Sequence, residues 1–238
     1  MHTGRHRIKT HGGIPHGSTC NFGSDLHIYY QFNTGESASA WPDSSANGNN
    51  ASQSTADNQP TAVAGGGLDF EDTDNASTAS MMDFTSFTVD DDLDFISFVV
   101  WKPETTATGA YLSDGTNEVF QLTSGSISLF KTPSATNSMN HSSTFSIVAG
   151  EKSVFMIWRT DGSTGQVYLY KNGLVHDPSI RDEATFDLQN LGSKNDSSKW
   201  FDGIIYDVGF VSGEKATAKN RDMITDYLCS KHGIERLA

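Results

Sequence analysis

The sequence predicts an all-β protein, two antiparallel sheets packed face to face as a β-sandwich, and three observations carry that expectation. Residues 93–101, Leu-Asp-Phe-Ile-Ser-Phe-Val-Val-Trp, hold seven apolar side chains in nine positions, and Pro103 closes the run. The run is too short and too rich in β-branched and aromatic residues for an ordinary helix, and it suits a strand covered on both faces. Asn172-Gly173 lies between two β-prone runs, 167–171 and 174–175, and accepts the positive φ of a type I′ hairpin turn. Short apolar runs recur along the chain between clusters of Gly, Ser, Asn and Asp, with no βαβ alternation.

Each element follows from its local pattern. Leu26, Ile28, Tyr30 and Phe32 alternate with His27, Tyr29 and Gln31 as a half-buried strand. Residues 41–50 are turn chemistry, with Pro42 presetting φ and Asn47-Gly48 accepting positive φ. Further strands are expected at 61–64, 67–70 and 76–81, with Phe84 and Phe87 as core contacts near a turn. After the 93–101 strand come 110–112, 119–122, 127–130, 145–148, 154–158, 167–170 and 204–210. Alternation assigns Trp101 and Trp158 to the core. One helix is expected near the end, capped by Ser212, with Glu214 in its first turn and Gly233 as its C′ glycine. Its apolar side, Ala216, Met223, Ile224, Tyr227 and Leu228, is expected to cover an edge or end of the sandwich.

Composition bounds the function. All 238 residues fit one sandwich domain, and the 14 Phe, 7 Tyr and 4 Trp supply a sizeable core. A net charge of −13 argues against nucleic-acid binding by the body. No window of 18 apolar residues exists to insert in a membrane. Residues 1–24 differ from the rest: they carry a charge of +3 and four histidines with no acid, leaving −16 on residues 25–238. This segment cannot form a core and reads either as a disordered tail or as a basic docking arm that orders against a partner, with Arg5, Arg7, Lys9 and Ile14 as its contacts. Its start has no apolar run behind the basic residues, so no Sec-type signal peptide is expected. The domain boundaries are therefore an arm over 1–24 and a sandwich over 25–238. Cys20 and Cys229 either pair, tying the two ends of the chain, or stay as thiols, the reading a reducing compartment favours.

Six segments in order, 26–32, 43–50, 67–70, 95–103, 167–173 and 201–208, together resemble the concanavalin A-like, laminin-G-type jelly-roll domains over residues 26–234. The closing Tyr227-Leu-Cys-Ser-Lys-His-Gly-Ile234 looks like the tail of such domains in bacterial and phage proteins. The fold hosts lectins, glycosidases, adhesion modules and virion proteins, so the resemblance implies architecture more than activity. Glucanases of this fold place three acids at alternate positions of one strand. Asp90, Asp92 and Asp94 have that spacing, but they are Asp where the resemblance calls for Glu at both ends, and Asp91 adds a fourth charge. They read as a solvated turn, so no catalytic residue and no enzyme activity is expected.

No cofactor is expected beyond a structural calcium. Asp43, Ser45, Asn47 and Gly48 imitate the start of an EF-hand loop with Ser54 where the bidentate Glu belongs, and Asp72, Asp74 and Asn75 form a second candidate. Both read equally as Asx-rich turns. A sugar site would need an exposed aromatic beside polar groups, with Trp41, Trp158 and Trp200 as candidates. An adhesion-type fold without an export signal leads to the main expectation: a non-enzymatic bacteriophage virion component, capsid decoration or tail fibre. It would be made in the host cytoplasm, held by its arm to other virion proteins in a homo-oligomer or larger assembly, and exposed to host glycans. The alternative is a carbohydrate-binding module of a secreted or cell-surface bacterial protein, and a glycoside hydrolase stands third.

Overall fold

The computed structural model describes residues 22–71, 79–107, 109–115, 118–122, 127–130, 139–141, 147–160, 166–179, 185–193 and 200–237. In chain order the first strands are β1 (Leu26–Tyr30), β2 (Ala40–Trp41), β3 (Ala51–Ser52), β4 (Thr61–Ala62) and β5 (Leu68–Phe70). Then come β6 (Met82–Val89), β7 (Phe95–Pro103), β8 (Gly109–Ser113), β9 (Glu118–Leu122), β10 (Ile127–Phe130) and β11 (Met139–His141). The last are β12 (Ser153–Arg159), β13 (Val167–Lys171), β14 (Leu174–Ser179), β15 (Phe186–Leu191) and β16 (Gly203–Ser212), followed by the helix α1 (Ala218–His232).

Among the described residues all pairings between these strands are antiparallel. The larger sheet runs β14-β13-β12-β7-β16-β5-β4, with β1 beside β5 on the same edge of β16. The smaller runs β2-β3-β6-β15-β8-β9, and β10 pairs with β11 in a two-stranded sheet next to β9. The protein is a two-sheet β-sandwich.

The 93–101 run is realised as β7, central in the larger sheet between β12 and β16. Its side chains split by parity. Phe95, Val99 and Trp101 enter the core between the sheets, where Trp101 lies nearly parallel to Phe201 at 5.5 Å and donates its Nε1–H to Ser153 Oγ at 3.1 Å. Ile96, Phe98 and Val100 point the other way, into a second apolar layer with Val154, Met156, Ile224, Leu228 and Cys229. The helix therefore covers the outer face of the larger sheet, not an edge or end of the sandwich. That third layer is why β7 is apolar on both faces, since an uncovered antiparallel sheet would alternate with polar residues.

β16 carries a bulge here. Ile205 pairs with Trp101 but Asp207 with Val100, so Tyr206 is the extra residue. Tyr206 joins the helix-side layer, while Val208 and Phe210 return to the core. Asp207 is fully buried and holds the end of α1: Lys231 Nζ donates at 2.8 Å, His232 Nε2 lies against its other oxygen, and Phe32 N donates at 3.2 Å.

Several expectations need correction. The helix begins at Ala218 with Thr217 as its cap, Thr217 Oγ1 accepting from Asn220 N at 3.3 Å. Ser212 instead precedes a short 3-10 turn, Gly213–Lys215, that contains Glu214, because β16 runs on to Ser212. Gly233 does close the helix, at φ 65°. Met82–Val89 is an eight-residue strand where two core phenylalanines near a turn were expected, and of the 76–81 strand residues 79–81 precede it. Its pairing with β15 slips between Phe87 and Asp83, which breaks the period-2 pattern. β15 has no counterpart among the expected strands. Ile147 and Val148 lie outside any strand. The Asn172-Gly173 turn is as expected, with φ 52° and 92°.

Candidate functional site

Three of the four tryptophans, Trp41, Trp101 and Trp200, are buried. Trp158, expected in the core, is partly exposed on the helix side of the larger sheet. Strand parity explains this. In β12, Phe155 and Ile157 face the core, so Val154, Met156 and Trp158 face out. The helix covers Val154 and Met156. Trp158 sits beside its start, donating its indole N–H to Ala216 O at 2.9 Å.

Register then supplies a second ring. Trp158 pairs directly with Tyr168 on β13, and the two rings stack at 5.4 Å with 28° between planes. Tyr168 is also partly exposed, and its hydroxyl donates to Oε1 of the exposed Gln166 at 2.7 Å. Two positions along β13, Tyr170 faces the same side. Arg221 reaches in from α1, its guanidinium carbon 4.6 Å from the centres of both the Trp158 and Tyr170 rings. Its Nη1 donates to Tyr170 Oη at 2.5 Å. Burial first, with Asp222 and Tyr168 adding and Arg221 opposing, holds the Tyr170 phenol above its ordinary pKa.

The result is a two-ring apolar surface bordered by an amide, a phenol hydroxyl and a guanidinium. Such a surface takes a ligand with an apolar C–H face and a rim of hydroxyls, the rings receiving the face and the polar groups the rim. Trp158 alone of this set is a candidate from the sequence. Tyr168, Tyr170 and Gln166 are legible only once β12 and β13 are paired, and Arg221 only once the helix is placed on this face.

The other candidates are placed as follows. Asp43 Oδ1 accepts from Tyr29 N and Ser45 N, both at 2.8 Å, and Oδ2 accepts from Ser45 Oγ at 2.5 Å and Asn49 N at 2.8 Å. Asn47 Nδ2 donates to Leu26 O at 2.7 Å, so both side chains hold the loop onto β1. Asp72, Asp74 and Asn75, and the arm contacts Arg5, Arg7, Lys9 and Ile14, lie outside the described residues. Asp90, Asp91 and Asp92 are exposed in the β6–β7 turn, not on a strand facing a cleft. That turn is held from below by Arg159, which donates to Asp90 O at 2.6 Å and Leu93 O at 2.8 Å. Cys229 is a buried free thiol, pushed up to about 11 by burial first and by Asp226, with Arg236 opposing; Cys20 lies outside the described residues. Among the described residues no group of three or more His, Cys, Asp or Glu is placed to hold a metal ion, and no helix is long and apolar enough to cross a membrane.

One acid was missed from the sequence. Asp69 on β5 is pushed up to about 6 by burial first, then by Glu104, Glu71 and Asp202, with Lys102 opposing. Its neighbours converge only through the β5–β16–β7 pairing, which no local pattern reports.

No protein-family profile matches this chain, and no curated protein sequence does. Solved structures do. Domain 4 of the extracellular arabinanase AbnA from Geobacillus stearothermophilus, solved with arabinotriose, is similar with a TM-score of 0.52 at 16% identity, over 79% of this chain and 92% of that one. The ligand-binding domain of botulinum neurotoxin serotype D, solved with N-acetylneuraminic acid, is similar with a TM-score of 0.56 at 12% identity, over 85% of this chain and 50% of that one. The serotype G binding domain gives 0.54 at 15% identity, over 86% and 51%. This chain thus spans about half of the neurotoxin domains and nearly all of the arabinanase domain. At these identities the likeness establishes a shared β-sandwich fold.

Proposed function

We propose that this chain is a non-catalytic carbohydrate-binding module whose sugar platform is the Trp158–Tyr168 ring pair. The observation that carries the reading is that the one tryptophan that is not buried stacks on a partly exposed tyrosine, beside Gln166 and Arg221. Both rings are partly buried against the helix-side layer, and what they leave exposed lies side by side next to the exposed Gln166. The arabinanase domain supports the reading, being a sandwich of nearly the same extent that was solved with a sugar. The neurotoxin likeness adds less, because half of that domain lies outside the match.

The virion reading draws no support from these structures, none of which is a particle component, and its arm lies outside the described residues. The exposed Asp90–Asp92 turn offers hydrolysis no cleft. Isothermal titration of the protein with arabinotriose, xylotriose and cellotriose tests the proposal. Binding to at least one is expected, weakened roughly thirty-fold by Trp158→Ala, the loss of about 2 kcal/mol usual for a central anchor. Binding that survives this substitution unchanged would place the site elsewhere.

A further inference from the structure

The charges bordering the ring pair cancel one another, and this bears on which glycans the platform takes. Arg221 is the cation nearest the rings, and the edge it would offer an acidic ligand is already engaged. Its Nε and Nη2, the edge that grips a carboxylate in bidentate fashion, both donate to Asp222 Oδ1, at 3.1 and 2.8 Å. Its Nη1 is engaged by Tyr170. Arg236 is shared in the same way, its Nη1 bonding Asp226 and its Nη2 lying 3.4 Å from Asp222 Oδ1. Two guanidinium groups thus meet two carboxylates and leave no net charge. The chain as a whole is acidic, residues 25–238 carrying −16.

Resting on the platform reading above, we propose that the site selects neutral glycans and excludes acidic ones, and that Asp222 is the residue that sets this preference. Asp222 occupies Arg221 as the carboxylate of a uronate or sialate would. A neutral sugar needs only the ring faces and hydrogen bonds from Gln166 and Tyr168. An acidic sugar must displace Asp222 from Arg221 and bring a second negative charge beside it. The Asp222 side chain is 47% exposed and that of Arg221 14%, so the acid can be changed without opening the core while the guanidinium stays in place.

The test compares the wild-type chain with Asp222→Asn against neutral trisaccharides (arabinotriose, xylotriose, cellotriose) and acidic ones (trigalacturonate, 3′-sialyllactose) at 20 and 150 mM salt. The wild type is expected to bind a neutral ligand with little salt dependence and to bind the acidic ones at least ten-fold more weakly. Asp222→Asn is expected to keep neutral affinity within two-fold and to gain ten-fold or more for an acidic ligand at low salt, the gain shrinking at 150 mM. Trp158-dependent binding of an acidic glycan by the wild type within ten-fold of the best neutral ligand overturns the inference and leaves the platform standing. So does an Asp222→Asn protein, folded by circular dichroism, that gains nothing for acidic ligands. Absence of any Trp158-dependent binding, neutral or acidic, overturns the platform and this inference with it.

Discussion

Asp207→Ala removes the carboxylate that ties the end of α1 to the larger sheet, and the structure sets the size of the loss. Asp207 is fully buried and receives three donors: Phe32 N at 3.2 Å, Lys231 Nζ at 2.8 Å and the His232 ring. The Lys231 side chain keeps 17% exposure and can turn out to water, so its share is small. His232 is 2% exposed, packed between Phe32 and Tyr206, and cannot. Breaking a buried pair by removing one partner costs about 3–5 kcal/mol. With Lys231 released, the lower end applies, about 3 kcal/mol. For a chain of this size that is roughly 6–12 °C in Tm. Asp207→Asn keeps an acceptor oxygen and is expected to cost about 1–2 kcal/mol. Urea unfolding followed by far-UV circular dichroism reads the free energies, and hydrogen exchange over residues 218–232 reads the site of the damage. Exchange in the helix is expected to rise well before exchange in β7. An Asp207→Ala loss under 1 kcal/mol, or one no larger than that of Asp207→Asn, would refute the role given to this carboxylate.

Arg159→Ala is expected to cost about 2–4 kcal/mol in urea unfolding, since Arg159 is 1% exposed and bonds the backbone of the β6–β7 turn. Arg159→Lys should rescue little, because an ammonium cannot bridge Asp90 O and Leu93 O as a planar fork does. Gly209→Ala is expected to cost about 1–3 kcal/mol, since the added carbon would lie 2.2 Å from Phe98 Cζ, whose ring is pinned beneath the helix. Asp69→Asn should stabilise above pH 6 and be neutral below pH 4. The raised Asp69 pKa means that folding favours its protonated form, so a penalty develops as pH rises from about 4 to about 6 and remains above it. Solvent screening at this part-exposed carboxyl holds the gain to roughly 1 kcal/mol, read as the difference in Tm between pH 4 and pH 8. Cys229 is expected to resist alkylation by iodoacetamide at pH 7 in the folded protein and to react once unfolded.

The strands that carry the fold are legible in the sequence where one pattern dominates: the apolar run of β7 and the Asn172-Gly173 turn. β1 is found where expected, but a register shift after Leu26 and the helix layer split its expected face, Ile28 and Tyr30 entering the core while Leu26, Tyr29 and Phe32 pack on the helix side. β15 is not legible, because Phe186-Asp-Leu-Gln-Asn-Leu191 dilutes its apolar positions with residues that also make turns, and only pairing with β6 and β8 identifies it. β6 is obscured by its slipped register with β15. The helix start is misread at Ser212 because a capping residue looks the same at the end of a strand as before a helix, and only Thr217 is followed by helical backbone.

The candidate site was hidden for a different reason. Alternation tells which side chains share a face but not what covers that face. The larger sheet is covered twice, by the smaller sheet and by α1, so Trp158 reads as core even though it faces away from the inter-sheet layer. Its exposure depends on where the helix begins. The charge balance at Arg221 and Asp222 is likewise invisible until the helix is laid beside β13.

The most direct test of the sugar platform is the indole N–H region of the NMR spectrum during titration with the neutral trisaccharide that binds most tightly. Four indole signals are expected, three from buried rings and one from Trp158. The account predicts that the signal lost in Trp158→Phe is the one that shifts, with Trp41, Trp101 and Trp200 moving little. Sugar binding that shifts one of the buried three, or leaves Trp158 unmoved, would contradict it.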